Sequence, residues 1–152
     1  MRAVPQFGAR RAGLAYPDRP AAFGIALRGG LIAVVEVETP GQPTWRDLPG
    51  GGIDPGESPE EAVIREFGEE TGLIVDPRAF VERADQYFIN HEGQDFNVRG
   101  EFFRVSITGE AAELKIEDDH RLIWMSPLDA IAAMRREAHS WAIAAWLREG
   151  GG

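Results

Sequence analysis

The chain has 152 residues, of which 43% are hydrophobic and 27% charged, with no cysteine and a formal net charge of -9. That length suits one domain whose core needs neither disulfides nor a structural metal, and the missing cysteines exclude a disulfide framework, a thiolate nucleophile and a Cys-based zinc site. The acidic balance argues against a protein that grips nucleic acid or an anionic membrane through a broad basic face, although a small anionic ligand that arrives with cations is compatible with it.

Residues 1–20, rich in Arg, Pro and Gly, carry no sustained period and read as an irregular lead-in arm. They contain no apolar run of signal-peptide length, and the longest purely apolar stretch, Leu31–Val35, is far too short to span a bilayer. A soluble, cytoplasmic protein is expected. Two β-prone runs, 22–28 and 31–38, flank Gly29-Gly30 and predict a hairpin. A short strand at 44–48 then leads into Pro49 and three glycines, where no regular structure is expected.

A helix follows. Ser58 is its N-cap, Pro59 its first residue, Glu61 completes a capping box, and Gly72 closes it in a left-handed conformation. Strands are predicted at 80–89 and 98–108 around a polar loop 90–97, and a short one at 122–125. Helices are predicted at 127–137, with Ser126 as N-cap, and at 140–148. Strands dominate the first two thirds, so the class is α+β with a mixed or antiparallel sheet. One domain is expected over 21–149, followed by a flexible tail, 150–152, with no internal repeat.

Seven of the twenty-three residues in GGIDPGESPEEAVIREFGEETGL, positions 51–73, are acidic. Glu57, Glu60 and Glu61 lie at the positive end of the helix dipole, where carboxylates are favoured. Glu66, Glu69 and Glu70 lie at the other end, where they are not. At about 100° per residue these three form one acidic strip beside the apolar stripe of Val63, Ile64 and Phe67. Arg65 can pair with Glu61 and Glu69, four residues away on either side. A solvated acidic face is the ordinary fate of such a run, but acids gathered at the unfavourable helix end beside a buried stripe suit a hard divalent cation, which removes their repulsion. The preceding glycines allow the backbone to approach a metal or phosphate closely.

Gly51, Glu57, Arg65-Glu66, Phe67, Glu69-Glu70, Gly72 and Leu73 fill every fixed position of the Nudix box, and on these residues the chain resembles the Nudix hydrolase family. The resemblance implies an α/β/α sandwich around a mixed sheet and hydrolysis of a nucleoside diphosphate linked to another moiety, with Mg²⁺ or Mn²⁺ as cofactor. It implies Glu66 and Glu70 as the main metal ligands, joined by the carbonyl of Gly51. By the same resemblance Glu69 would be a further ligand or would orient the attacking water, Glu57 would help fix the loop, and Arg65 would support the glutamates.

Members of the family commonly place an additional acidic base outside the box. Among Glu113, Glu117, Asp118 and Asp119 the choice here is Glu117, against an equally good reading of the stretch as a solvated acidic loop. His91, His120 and His139 read as polar loop or helix-end residues, with His120 able to approach phosphate. Trp45, Tyr87, Phe88, Phe96 and Trp124 are available to hold a base, and Arg99 and Arg104 could reach phosphates. The expected substrate is a small-molecule nucleotide, first a nucleoside triphosphate, normal or oxidised. ADP-ribose, a nucleotide sugar, a dinucleoside polyphosphate or a non-catalytic nucleotide-binding role are alternatives. No nucleic acid polymer and no membrane are expected as partners; a homodimer is compatible.

Overall fold

The computed structural model describes residues 3–151; the first two residues of the arm and the last of the tail, Gly152, lie outside them. The described elements are β1 (Gln6–Phe7), β2 (Asp18–Arg28), β3 (Leu31–Val37), β4 (Trp45–Asp47), β5 (Gly50–Gly52), α1 (Pro59–Thr71), β6 (Leu73–Ile89), β7 (Asp95–Glu110), a 3₁₀ turn at Ala112–Leu114, β8 (His120–Met125), α2 (Pro127–Ala133) and α3 (Glu137–Arg148).

The strands form one curled mixed sheet in the order β1-β6-β7-β2-β3-β4, with β5 paired to β2 and β8 to β3. The β2–β7 and β1–β6 pairs are parallel and the others antiparallel. Strand periodicity explains why both faces are covered. In β2, Ala21, Phe23 and Ile25 enter a cluster with Ala142, Ile143 and Trp146 of α3. The intervening Ala22 and Ala26 join Val63 and Phe67 of α1 on the other side. Helices therefore lie on both faces, the α/β/α arrangement expected. No helix of the described residues is long and apolar enough to cross a membrane.

The Gly29-Gly30 hairpin forms, but β2 and β3 pair only at its tip, through Leu27↔Ile32 and Arg28↔Leu31. Beyond the tip the two strands diverge, leaving β2 free to take β7 and β5 as partners. Four expectations need correction. The glycine run is not structureless: Gly50–Gly52 form β5 opposite Phe23, Ala22 and Ala21, because the close-lying β2 backbone satisfies their polar groups. Ile64 is exposed rather than part of the buried stripe, and Ala62 takes its place beside Val63 and Phe67. The helix predicted at 127–137 ends at Ala133, and α3 starts at Glu137. The polar loop 90–97 shrinks to a tight turn closed by Asn90, whose N–H donates to the Gln94 carbonyl at 2.9 Å.

Candidate active site

α1 is set in place by its own ends. The Ser58 hydroxyl accepts the Glu61 N–H at 3.1 Å while the Glu61 carboxylate accepts the Ser58 N–H at 3.0 Å. Gly72, at φ 76°, donates back to the Gly68 carbonyl. Glu61 is thus committed to the cap and does not pair with Arg65 as expected. Arg65 instead turns toward the β5–α1 loop. Its Nε and Nη2 hold the two oxygens of Glu57 at 2.8 and 3.0 Å, Nη2 also donates to the Gly52 carbonyl at 3.0 Å, and Nη1 reaches Glu66 at 3.0 Å and Glu69 at 3.2 Å. One guanidinium thereby locks the loop to the helix, and its rigid fork is suited to that. The Arg65 hydrogen bonds hold the Glu57 carboxyl below its ordinary pKa.

Glu66 and Glu70 face β5, against which α1 packs. A methyl group on Gly51 would stand 2.8 Å from Glu66 Oε1, so the absent side chain is what admits this carboxylate to the backbone. Glu70 is buried; its Oε1 accepts the Gly50 N–H at 2.9 Å, and its Oε2 lies 3.0 Å from His120 Nε2. Burial, then the neighbouring charge of Glu70, pushes the Glu66 pKa up to about 7 against the opposing pull of Arg65. Burial likewise raises Glu70, although His120 and the Gly50 N–H oppose it. For His120, burial acts downward, but the hydrogen bonds and charges of Glu70 and Asp119 outweigh it and carry the pKa to about 9. Two crowded carboxylates that resist ionisation, beside a glycine cradle, fit a divalent cation with oxygen ligands.

The loop before β8 is tied to the end of α1, since Ile116 and Glu117 donate their backbone N–H groups to the Glu69 carbonyl at 2.9 and 3.1 Å. Ligand atoms of Glu117, Asp119 and His120 lie within 4.8 Å of one another. Of these residues Gly51, Glu70, Asp119 and His120 line one end of a cavity of about 420 Å³; Glu66, beside Gly51, and Glu117, beside Asp119 and His120, lie next to that lining, and Phe67 is in the core. Trp45, Phe88 and Phe96 line that cavity. Tyr87 instead packs on Tyr16 at 5.1 Å between ring centres, and Trp124 lies under Arg28, in the α1-side cluster. Arg99 is spent on Asp85 and Asp18, at 2.7 and 2.9 Å, and Arg104 faces elsewhere.

The charged groups at the cavity's other end were not legible. Arg135 and Arg136 lie in the break between α2 and α3 and converge on buried Asp47 of β4. Arg135 makes a two-point contact and the Arg136 Nη2 lies 3.5 Å away. Arg136 stacks over Phe88 with its guanidinium carbon 4.2 Å from the ring centre, and Arg135 lies over both Phe88 and Trp45. Burial works against ionised Asp47, but Arg136, His139 and Arg135 prevail and bring its pKa down to about 2. His139 is not a helix-end polar residue: it is buried between Phe23 and Phe102, and its Nδ1 accepts the Leu48 N–H at 3.0 Å. Burial and the charge of Arg136 lower its pKa to about 3, so it is neutral. Trp45 and Phe88 were named from the sequence for this end, but its charged groups were not: the Arg-Arg pair is hidden in an apparently continuous helix.

The NUDIX domain model matches residues 17–147, and the chain belongs to that family. An RNA pyrophosphohydrolase of Cereibacter sphaeroides (strain KD131 / KCTC 12085) is 44% identical over 77 residues, which are 49% of this chain and 46% of the relative. A Bacillus subtilis (strain 168) protein provisionally named an 8-oxo-dGTP diphosphatase is 40% identical over 85 residues, 56% of this chain and 52% of the relative. The chain spans about half the length of these curated relatives. A Nudix hydrolase from Nitrosomonas europaea has the same fold, with a TM-score of 0.74 at 21% identity over 88% of this chain and 90% of that one.

Proposed function

We propose that this chain hydrolyses the diphosphate linkage of a nucleoside diphosphate derivative with Mg²⁺ or Mn²⁺, and that its substrate is a nucleoside triphosphate, normal or oxidised, cleaved to the monophosphate and pyrophosphate. The observation that carries this reading is the convergence of Glu66 and Glu70 on the Gly50–Gly51 backbone at one end of an aromatic-lined cavity. In this reading Glu66, Glu70 and the Gly51 carbonyl hold the cation, and Glu69 is a further ligand or orients the water. A divalent cation so placed neutralises phosphate charge and makes a water molecule more acidic. Arg65 fixes the glutamates and the loop in one geometry, and positioning of this kind supplies most of the catalysis in phosphoryl transfer.

The water oxygen forms the new bond to phosphorus, and the bridging oxygen between the α- and β-phosphates leaves with its electron pair. The water's proton passes to a carboxylate, for which Glu117 is the choice because its loop is held on the Glu69 carbonyl. Trp45, Phe88 and Phe96 give the nucleoside apolar walls. The reading includes a cytoplasmic setting and admits a homodimer.

An RNA 5′ end is the second reading, carried by the relatives named RNA pyrophosphohydrolase; the same linkage then ends a polymer, contrary to the expectation of small molecules alone. The test is phosphate and pyrophosphate release, with Mg²⁺, from nucleoside triphosphates, nucleotide sugars, ADP-ribose, dinucleoside polyphosphates and 5′-triphosphorylated RNA, beside Glu70→Gln. Cleavage of one class that the variant loses supports the hydrolase and names its substrate. Binding of a nucleotide without any cleavage points to a non-catalytic module.

A further inference from the structure

The arginines that reach the cavity differ in what already holds them. Arg135 and Arg136 are committed to Asp47, and Arg65, beside it, is committed to Glu57, Glu66 and Glu69. Arg19 of β2 is held by no carboxylate among the described residues. Its guanidinium lies over the Phe96 ring, 5.0 Å from the centre, and a methyl group on Gly52 would stand 3.0 Å from its Nη2. Gly52 thus lies between two arginines: its carbonyl accepts from Arg65, which is surrounded by acids, while Arg19 covers its Cα side with its charge unspent.

A guanidinium stacked on an aromatic ring keeps its N–H edge free for anions, and its fork matches phosphate oxygens in a way a lysine does not. The placement beside β5 sets this free cation against the same three-residue strand that meets Glu66 and Glu70. We infer that Arg19 is a phosphate-binding residue of this site, taking the oxygens of the substrate's phosphate chain on the side of the Gly50–Gly52 strand opposite Arg65. The inference rests on the proposed nucleotide reading, which it deepens.

The experiment compares the parent with Arg19→Gln and Arg19→Lys, after melting curves establish that both fold. With the substrate that the panel identifies, Arg19→Gln raises KM by about 10–30-fold while kcat changes less than about threefold, the signature of removing an interaction that ground and transition states share equally. Arg19→Lys recovers part of the loss, because charge returns without the fork. Inhibition by inorganic tripolyphosphate with Mg²⁺ weakens in Arg19→Gln by a similar factor. An unchanged KM overturns the inference; so does a raised nucleotide KM with unchanged tripolyphosphate inhibition, which places the contact on the nucleoside. If the parent cleaves nothing, the hydrolase reading fails by itself, and calorimetric binding of Mg²⁺-tripolyphosphate decides Arg19 separately. Binding weakened at least tenfold in Arg19→Gln sustains the inference, and equal or absent binding overturns it.

Discussion

Glu70 Oε2 and His120 Nε2 lie 3.0 Å apart, and through that contact the last turn of α1 is joined to the first residue of β8. The other oxygen of Glu70 accepts the Gly50 N–H. One carboxylate thus ties together helix, glycine strand and β8, and any cation that takes Glu70 as a ligand acts on all three.

Cation binding should therefore stabilise the fold. At a Mg²⁺ or Mn²⁺ concentration a hundred times its Kd, the free energy of unfolding rises by about 2.7 kcal/mol. Glu70→Gln, which keeps the shape and removes the charge, should abolish most of the rise. Urea denaturation with and without metal, compared with EDTA, measures both; an equal rise in the variant would rule Glu70 out as a ligand.

Gly51→Ala tests the cradle. The added methyl would stand 2.8 Å from Glu66 Oε1, the movable end of a side chain, so the fold should survive and the carboxylate should shift. Metal affinity is expected to fall at least about tenfold, as when the support of a ligand is disturbed, with little change in the metal-free melting temperature. Titration calorimetry with Mn²⁺ gives the affinity. A variant that binds like the parent would show that the close approach has no part in binding.

Asp47→Ala removes the one carboxylate that Arg135 and Arg136 share. Burial already lowers the Arg136 pKa, with Asp47 opposing it, so the loss leaves a buried, uncompensated cation and should cost about 3–5 kcal/mol. The exposed pair of Asp18 with Arg99 is the control, and Asp18→Ala should cost less than about 1 kcal/mol. Chemical denaturation of the two variants side by side settles the comparison.

The buried His139 sets an acid limit. Its folded pKa, about 3, lies below the ordinary 6.5, so between these values the unfolded chain binds a proton that the folded one refuses. Its stabilising contribution is whole above pH 6.5 and declines as pH falls, by about 1.4 kcal/mol per pH unit down to pH 4.5. His139→Gln keeps an acceptor for the Leu48 N–H and should flatten that slope. Denaturation at pH 7.0, 5.5 and 4.5 reads it; parallel slopes in parent and variant would contradict this account.

The acidic half of the site was legible because its determinants are local. Ser58, Glu61 and Gly72 mark the ends of α1, and the spacing of Glu66, Glu69 and Glu70 places them on one strip whatever the rest of the chain does. Of the two partners expected for Arg65, Glu69 pairs with it and Glu61 does not, because Glu61 was asked to serve two roles and the cap held it. The other half depends on pairings that periodicity does not encode. Arg19 meets Phe96 only because β2 lies parallel to β7. Arg135 and Arg136 reach Asp47 only because α2 stops at Ala133. Gly50–Gly52 were read by composition, which favours loops, while a neighbouring backbone decided their strand.

The parallel β2–β7 pair matches Asp18 with Asn97 and Ala26 with Val105, whereas the Arg65 cluster spans only residues 52–69. Closing a short loop costs less entropy than closing a long one, and long-range pairing sets the pace of folding. The two halves of the site should then mature in sequence. A chain leaving the ribosome can gather its acids around Arg65 before the segment bearing Phe96 has been made, and the wall that would recognise a nucleotide closes only afterwards.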